Sequence, residues 1–136
     1  MRRYSIELPN ELESLRVAAA FTDAVFRELP PVPDRARVLH DLALVSSEAL
    51  TNALRHSGKG SAPVRLVYSF DGEGIVIAVT DHGEGFDLDA VTLPAFEENP
   101  EGGYGIYIAR ALMDEVRYER AADGNELILG KRWTGQ

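Results

Sequence analysis

The run Glu48-Ala49-Leu50-Thr51-Asn52-Ala53-Leu54-Arg55-His56 decides how this chain is read, because polar groups recur every four residues inside an apolar helical pattern. Steps of four on an α-helix turn a side chain by only about 40°. Glu48, Asn52 and His56 therefore form a slanting row on one side of a helix expected from residue 34 to about residue 55. Val38, Leu42, Val45, Ala49 and Ala53 make a second stripe, which faces a core. Taken alone, the polar row also fits a solvated face whose last member, a histidine, complements the helix dipole.

Outward from this helix the pattern changes period. Tyr4, Ile6 and Leu8 alternate with polar residues and predict a strand. Asn10 is then a suitable N-cap, with Glu11 and Glu13 in a first turn. Leu12, Leu15, Ala19, Phe26 and Leu29 continue at helical spacing until Pro30-Pro31-Val32-Pro33 stops the helix. Beyond the central helix, Ser57-Gly58-Lys59-Gly60-Ser61 reads as a loop. Val64, Leu66, Tyr68 and Phe70 alternate as a strand, Asp71-Gly72-Glu73-Gly74 turns the chain, and residues 75–80 return as a second strand.

Residues 86–101 carry two prolines and several acids without a clear period. A third helix is expected over roughly 104–113. Strands at 116–120 and 127–133 then close the chain around an Asp123-Gly124-Asn125 turn. The order strand, helix, helix, two strands, helix, two strands predicts an α+β domain. Its antiparallel or mixed sheet would be covered by helices on one face. At 136 residues the chain suits one domain, spanning 1–136.

Composition narrows the function. A 45% hydrophobic and 26% charged content is that of a folded globular protein. With no cysteine there is no disulfide scaffold and no thiolate metal site. No apolar run approaches the roughly 18 residues of a membrane helix, and Met1-Arg2-Arg3 leads into a polar segment, so a cytoplasmic location is expected. The formal charge is −8, from 22 acidic and 14 basic residues, which argues against sequence-independent binding of nucleic acid.

An acidic chain can still hold a phosphate ligand through backbone N–H groups, a helix N-terminus and a magnesium ion. Asp81-His82-Gly83-Glu84-Gly85 follows an apolar strand. A carboxylate there can accept the exocyclic amine of adenine, and glycines after it let the backbone approach a base and sugar closely. An ordinary Asp/Gly turn has the same letters. Gly102-Gly103-Tyr104-Gly105-Ile106 opens the third helix, where successive N–H groups can point at phosphate oxygens. It is neither a Walker A loop nor a dinucleotide fingerprint, and a linker before a helix would look similar.

Glu48 can accept a proton from a hydroxyl or water, and the Asn52 carboxamide oxygen can ligate magnesium. His40, His56 and His82 lack metal-ligand spacing, and no other catalytic set competes.

Jointly, these segments resemble the GHKL, or histidine kinase-like, ATPase superfamily. Glu48, Asn52 and His56 match its N box, Asp81, Gly83 and Gly85 its G1 motif, and Gly103 and Gly105 its G2 motif. Within the superfamily, Glu48-Ala49-Leu50-Thr51-Asn52-Ala53 and the run from Gly105 and Ile106 to Val116 look most like the small bacterial anti-sigma factor/serine-protein kinases. The resemblance implies a two-layer α/β sandwich of the Bergerat type, with a mixed, mostly antiparallel sheet.

It also implies roles. Glu48 would be the general base and Asn52 the magnesium ligand. Asp81 would hold the adenine amine, Gly83 and Gly85 would shape the base pocket, and Gly103, Gly105 and Ile106 would lie at the phosphates. His56 would lie at the pocket edge with no catalytic step, and residues 86–101 would form a lid. ATP and magnesium are the implied cofactors. The implied substrate is a serine of an anti-anti-sigma factor of the STAS type, the other partner is a sigma factor, and a homodimer is implied.

Two features depart from the pattern. Many superfamily members carry a Gly-Thr pair on a late strand, whereas here Gly124 precedes Asn125 and Glu126. The lid stretch has no basic residue. Two other functions remain open: a non-catalytic, nucleotide-gated binding module of the same fold, and a detached histidine-kinase catalytic domain. The latter lacks room for a phosphoacceptor helix pair before residue 34.

Overall fold

A computed structural model describes residues 1–56, 62–82, 104–121 and 124–133. The elements are β1 (Arg2–Leu8), α1 (Ser14–Phe26), α2 (Arg35–His56), β2 (Val64–Phe70), β3 (Gly74–Asp81), α3 (Tyr104–Leu112), β4 (Glu115–Ala121) and β5 (Gly124–Arg132). The five strands form one sheet in the order β1-β2-β3-β5-β4, and all four pairings are antiparallel. The expected α+β sheet is therefore present.

Register explains why the helices occupy one face. Because side chains alternate across a strand, the row Tyr4, Tyr68, Ile77, Leu129, Val116 points one way, as does the row Ile6, Leu66, Val79, Leu127, Tyr118. These residues join Val25, Phe26, Leu42, Val45, Ala49, Ala53, Ile106 and Ala109 of the helices in a single core. On the opposite face Arg3, Ser5, Glu7 and Val76 are exposed. The next row on the helix side is polar: Asp81, Asn125 and Arg120 continue the same face at the end of the sheet.

Two connections hold the layers in place. The β2–β3 turn is tied by Asp71, whose Oδ1 accepts the N–H groups of Glu73 at 2.8 Å and Gly74 at 3.2 Å. A Cβ at Gly74 would run into the Lys131 carbonyl of β5, so only glycine suits that close approach. Between α1 and α2, Asp34 sits at φ 55°, and its carbonyl accepts the Val38 N–H at 3.0 Å.

The expected start of α1 needs correction. The helix begins at Ser14, not beside Asn10, and no acidic residue stands in its first turn. Residues 11–16 instead form turns bonded from i to i−3, and the Ser14 hydroxyl donates back to the Pro9 carbonyl at 2.6 Å. Its core stripe also differs from the expected one. Leu12 is 58% exposed and Ala19 is exposed, whereas Ser14, Ala18 and Thr22 are buried with Val25 and Phe26. Thr22 is buried because Tyr68 reaches it from the sheet: the two hydroxyls are 2.7 Å apart. A hydrogen-bonded hydroxyl pair can occupy a core that an unpaired one could not.

Strand β5 corrects a second expectation. Gly124 and Asn125 are not turn residues but the first two ladder positions of β5, opposite Ala121 and Asp81 respectively. The expected 57–61 loop and the 86–101 stretch lie outside the described residues.

Candidate functional site

Asp81 is the last residue of β3 and is 6% exposed, deeply buried for a carboxylate. Its register partner Asn125 is equally buried, and the Asn125 Nδ2 donates to Asp81 Oδ1 at 3.1 Å. A carboxylate only accepts hydrogen bonds, so the amide nitrogen must face it. Its two oxygens together accept about four bonds, of which the Asn125 amide supplies one.

Gly124 closes the back of this pair. A Cβ at Gly124 would stand 3.2 Å from the Asp81 carbonyl oxygen and 3.3 Å from the His82 ring, and its φ of 152° disfavours any side chain. Asp81 is thus held by a neighbouring strand rather than by a flexible loop. His82, beside it, is exposed.

The Glu48–Asn52 row lies on α2 as its spacing predicts. Both residues are half-buried, while Val45, Ala49 and Ala53, on the adjoining side of the helix, are packed in the core. Thr51 turns its hydroxyl inward to the Ser47 carbonyl at 2.7 Å. Such i−4 bonding satisfies a polar side chain without drawing it from the helix. His56 is the final residue of α2; its side chain lies outside the described residues.

Helix α2 packs against both β3 and α3. The elements bearing the Glu48–Asn52 row, Asp81, and Gly105 with Ile106 are therefore neighbours. Gly105 is the second residue of α3 and Ile106 the third, so their N–H groups belong to the first turn, which has no intrahelical acceptors. The Ile106 side chain is 3% exposed in the core, which leaves its backbone as the part that can meet a ligand. Gly83, Gly85 and Gly103 lie outside the described residues.

Among the described residues no group of three His, Asp or Glu side chains is placed to hold an ion. Magnesium bound with a nucleotide needs only one or two protein oxygens, because phosphates and waters complete its shell. The Asn52 carboxamide carries an oxygen of the required kind.

What sequence reading placed poorly was Asn125, noted only as a polar residue standing where a Gly-Thr pair was expected. The available signal was its position opposite Asp81 once the late strands are paired, but that register requires knowing that β5 inserts beside β3.

Residues 8–131 match the family model described as the histidine kinase-like ATPase domain. The chain is similar to Serine-protein kinase RsbW of Oceanobacillus iheyensis, with 35% identity over 89 residues covering 58% of this chain and 56% of the relative. It is also similar to Serine-protein kinase RsbW of Bacillus subtilis strain 168, with 32% identity over 91 residues covering 60% and 57%. The matched region thus spans a little over half the length of these relatives.

Among solved structures, the RsbU and RsbW domains of a Mycobacterium tuberculosis protein align with a TM-score of 0.69 and 18% identity, over 97% of this chain and 32% of that one. The histidine kinase domain of the blue-light activated kinase of Erythrobacter litoralis aligns at 0.58 and 23%, over 90% and 64%. At these identities the likeness is one of fold. The family match runs from the end of β1 almost to the end of β5 and takes in Glu48, Asn52, Asp81 and the start of α3; the chain belongs to the histidine kinase-like ATPase domain family.

Proposed function

We propose that this chain binds ATP with magnesium beside Asp81 and acts as an anti-sigma regulatory kinase. Its substrate would be a serine of an anti-anti-sigma partner of the STAS type, and its second partner a sigma factor. The observation that carries the reading is the buried Asp81 carboxylate, held at the end of β3 by Asn125 and backed by Gly124. A carboxylate fixed in this way accepts the adenine amine and rejects guanine, whose corresponding position is a carbonyl oxygen that cannot donate. The relatives named as serine-protein kinases support the choice of reaction.

The chain's own groups divide the work. Asp81 orients the base, and the first turn of α3, at Gly105 and Ile106, offers N–H groups to phosphate oxygens. Gly83, Gly85 and Gly103 are assigned to the same pocket, and His56 to its edge. Asn52 holds the magnesium ion. When bound, ATP supplies the phosphoryl group and magnesium offsets its charge. Glu48, half-exposed on α2, takes the proton of the attacking serine hydroxyl. Among the described residues no helix is long and apolar enough to cross a membrane. The cytoplasm, action as a single domain and assembly as a homodimer belong to this proposal.

The test pairs labelled ATP and magnesium with a serine-bearing STAS protein. Glu48→Ala should lower phosphotransfer by about 100-fold or more while ATP binding persists, the usual scale for losing a general base. Absence of transfer by the wild type, with partner binding that survives the substitution, would favour a nucleotide-gated binding module without kinase chemistry. No heat of ATP binding at millimolar nucleotide would sink the central claim.

A further inference from the structure

The sheet ends in two edge strands, β1 and β4, of different character. In β4 the charges are satisfied within the strand: Arg117 donates to Glu115 at 2.6 Å and to Glu119 at 2.7 Å. In β1, Arg3, Ser5 and Glu7 are exposed on the face opposite the helices, and neither charge forms an ion pair among the described residues. No proline or bulge interrupts β1, whose register against β2 is unbroken from Arg2 to Leu8. An edge of this kind offers its outer N–H and C=O groups to a further strand.

Strand β1 is complementary to itself. When a twofold axis pairs it with its own copy, opposite residues must share a face, so the axis passes through a residue and not between two. Centred on Ser5, the pairing uses all seven residues of the strand and sets Arg3 opposite Glu7 of the second copy, twice over. Centring on Tyr4 or Ile6 brings no opposite charges together. The same operation on β4 about Arg117 sets Glu115 against Glu119, which repel. The helix above β1 continues the match. Arg2 pairs with Glu28 at 3.0 Å, so the outer flank of α1 stands over this edge. At about 100° per residue, Val17, Phe21 and Ala24 share that flank, turned from the side that faces α2. Val17 is 53% exposed, Ala24 is exposed and Phe21 is half-buried. An antiparallel α1 of a second copy would cover them, and the small Ala24 permits its close approach.

We infer that β1 and the outer flank of α1 form an interface between two copies of this chain, in which two five-stranded sheets join edge to edge as one. Backbone hydrogen bonds along β1 supply the attachment, the two Arg3–Glu7 pairs fix its register, and Val17 and Phe21 lose their contact with water. The inference gives a surface to the homodimer assigned above and rests on that part of the reading. Glu48, Asn52 and Asp81 take no part in it.

The chain has no cysteine, so a single introduced thiol reports contact between copies. Opposite residues of an antiparallel ladder have Cα atoms about 4.5–5.5 Å apart, within the span of a disulfide. Ser5→Cys should therefore oxidise to a covalent dimer on a non-reducing gel, whereas Arg117→Cys on β4 should not cross-link. In sedimentation of the full chain the wild type should be a dimer. Arg3→Glu and Glu7→Arg should each weaken it by about tenfold, because each sets two pairs of like charges face to face. Combining the two substitutions restores opposite charges and should recover wild-type association. A monomeric wild type overturns the inference together with the homodimer. A dimer that either single reversal leaves unchanged, that the combination fails to restore, or in which Ser5→Cys forms no covalent link, overturns this surface alone. ATP calorimetry on the same samples reads the nucleotide proposal independently.

Discussion

Asn125 and Asp81, 44 positions apart, meet across the β3–β5 ladder with both side chains buried and the amide donating to the carboxylate at 3.1 Å. Hydrogen bonds to a charged group contribute about 1.5–3 kcal/mol, and a buried carboxylate that loses a donor costs a similar amount. Asn125→Ala should therefore lower the unfolding free energy by about 2 kcal/mol, measured by urea titration. ATP affinity should also fall by about tenfold, because a carboxylate free to reorient no longer meets the adenine amine. A variant that is destabilised but binds ATP normally would confine Asn125 to a structural role.

Gly124 backs the same pair. Gly124→Ala places a Cβ against the Asp81 carbonyl and the His82 ring at a backbone angle that side chains disfavour. A loss of about 1–3 kcal/mol is expected, seen as a lower thermal midpoint. An unchanged midpoint would mean that this end of β5 relaxes readily.

Tyr68 gives the fold an alkaline limit. Burial raises its pKa above the ordinary 10.0, against smaller opposing effects of Ser46 and Thr22. A folded-state pKa above the unfolded one means the neutral phenol is favoured by folding. That contribution is complete below the unfolded value and is lost as pH rises through the folded one. Wild-type stability should decline above about pH 10, and Tyr68→Phe should lack that part of the decline. At neutral pH the variant should be less stable by about 1–2 kcal/mol, since the Thr22 hydroxyl is left buried without its partner. Urea midpoints at neutral and alkaline pH test both parts.

Arg35 joins the end of α1 to the start of α2. Its guanidinium donates to the carbonyls of Pro30 at 2.8 Å, Phe26 at 3.1 Å and Leu29 at 3.3 Å, at and just beyond the end of α1. Arg35→Ala should cost about 2 kcal/mol in chemical denaturation. Arg35→Lys should recover only part, because one ammonium group cannot span three acceptors as a planar fork does. Full rescue by lysine would show that charge alone suffices.

Local pattern was enough to locate most elements. The alternation in β2 and β3 and the stripe Leu42, Val45, Ala49, Ala53 in α2 are repeated contacts with one core, so their period shows in the letters. The α1 stripe was misread because its buried positions include Ser14 and Thr22, which a hydrophobicity pattern assigns to solvent. Their burial depends on acceptors and donors supplied from elsewhere, the Pro9 carbonyl and the Tyr68 hydroxyl.

The same division holds for the candidate site. By itself the sequence determined that Glu48 and Asn52 share one side of α2 and that Asp81 ends an apolar strand, because both follow from the repeat of a single element. Only the tertiary structure decided that Asn125 is a ladder residue holding Asp81, and that the far side of α2 buries Ser46 against α1 and the sheet. The reason is physical: a helix or strand period is set within a few residues, whereas strand register and the gap between two helices are set by packing among segments far apart in the chain.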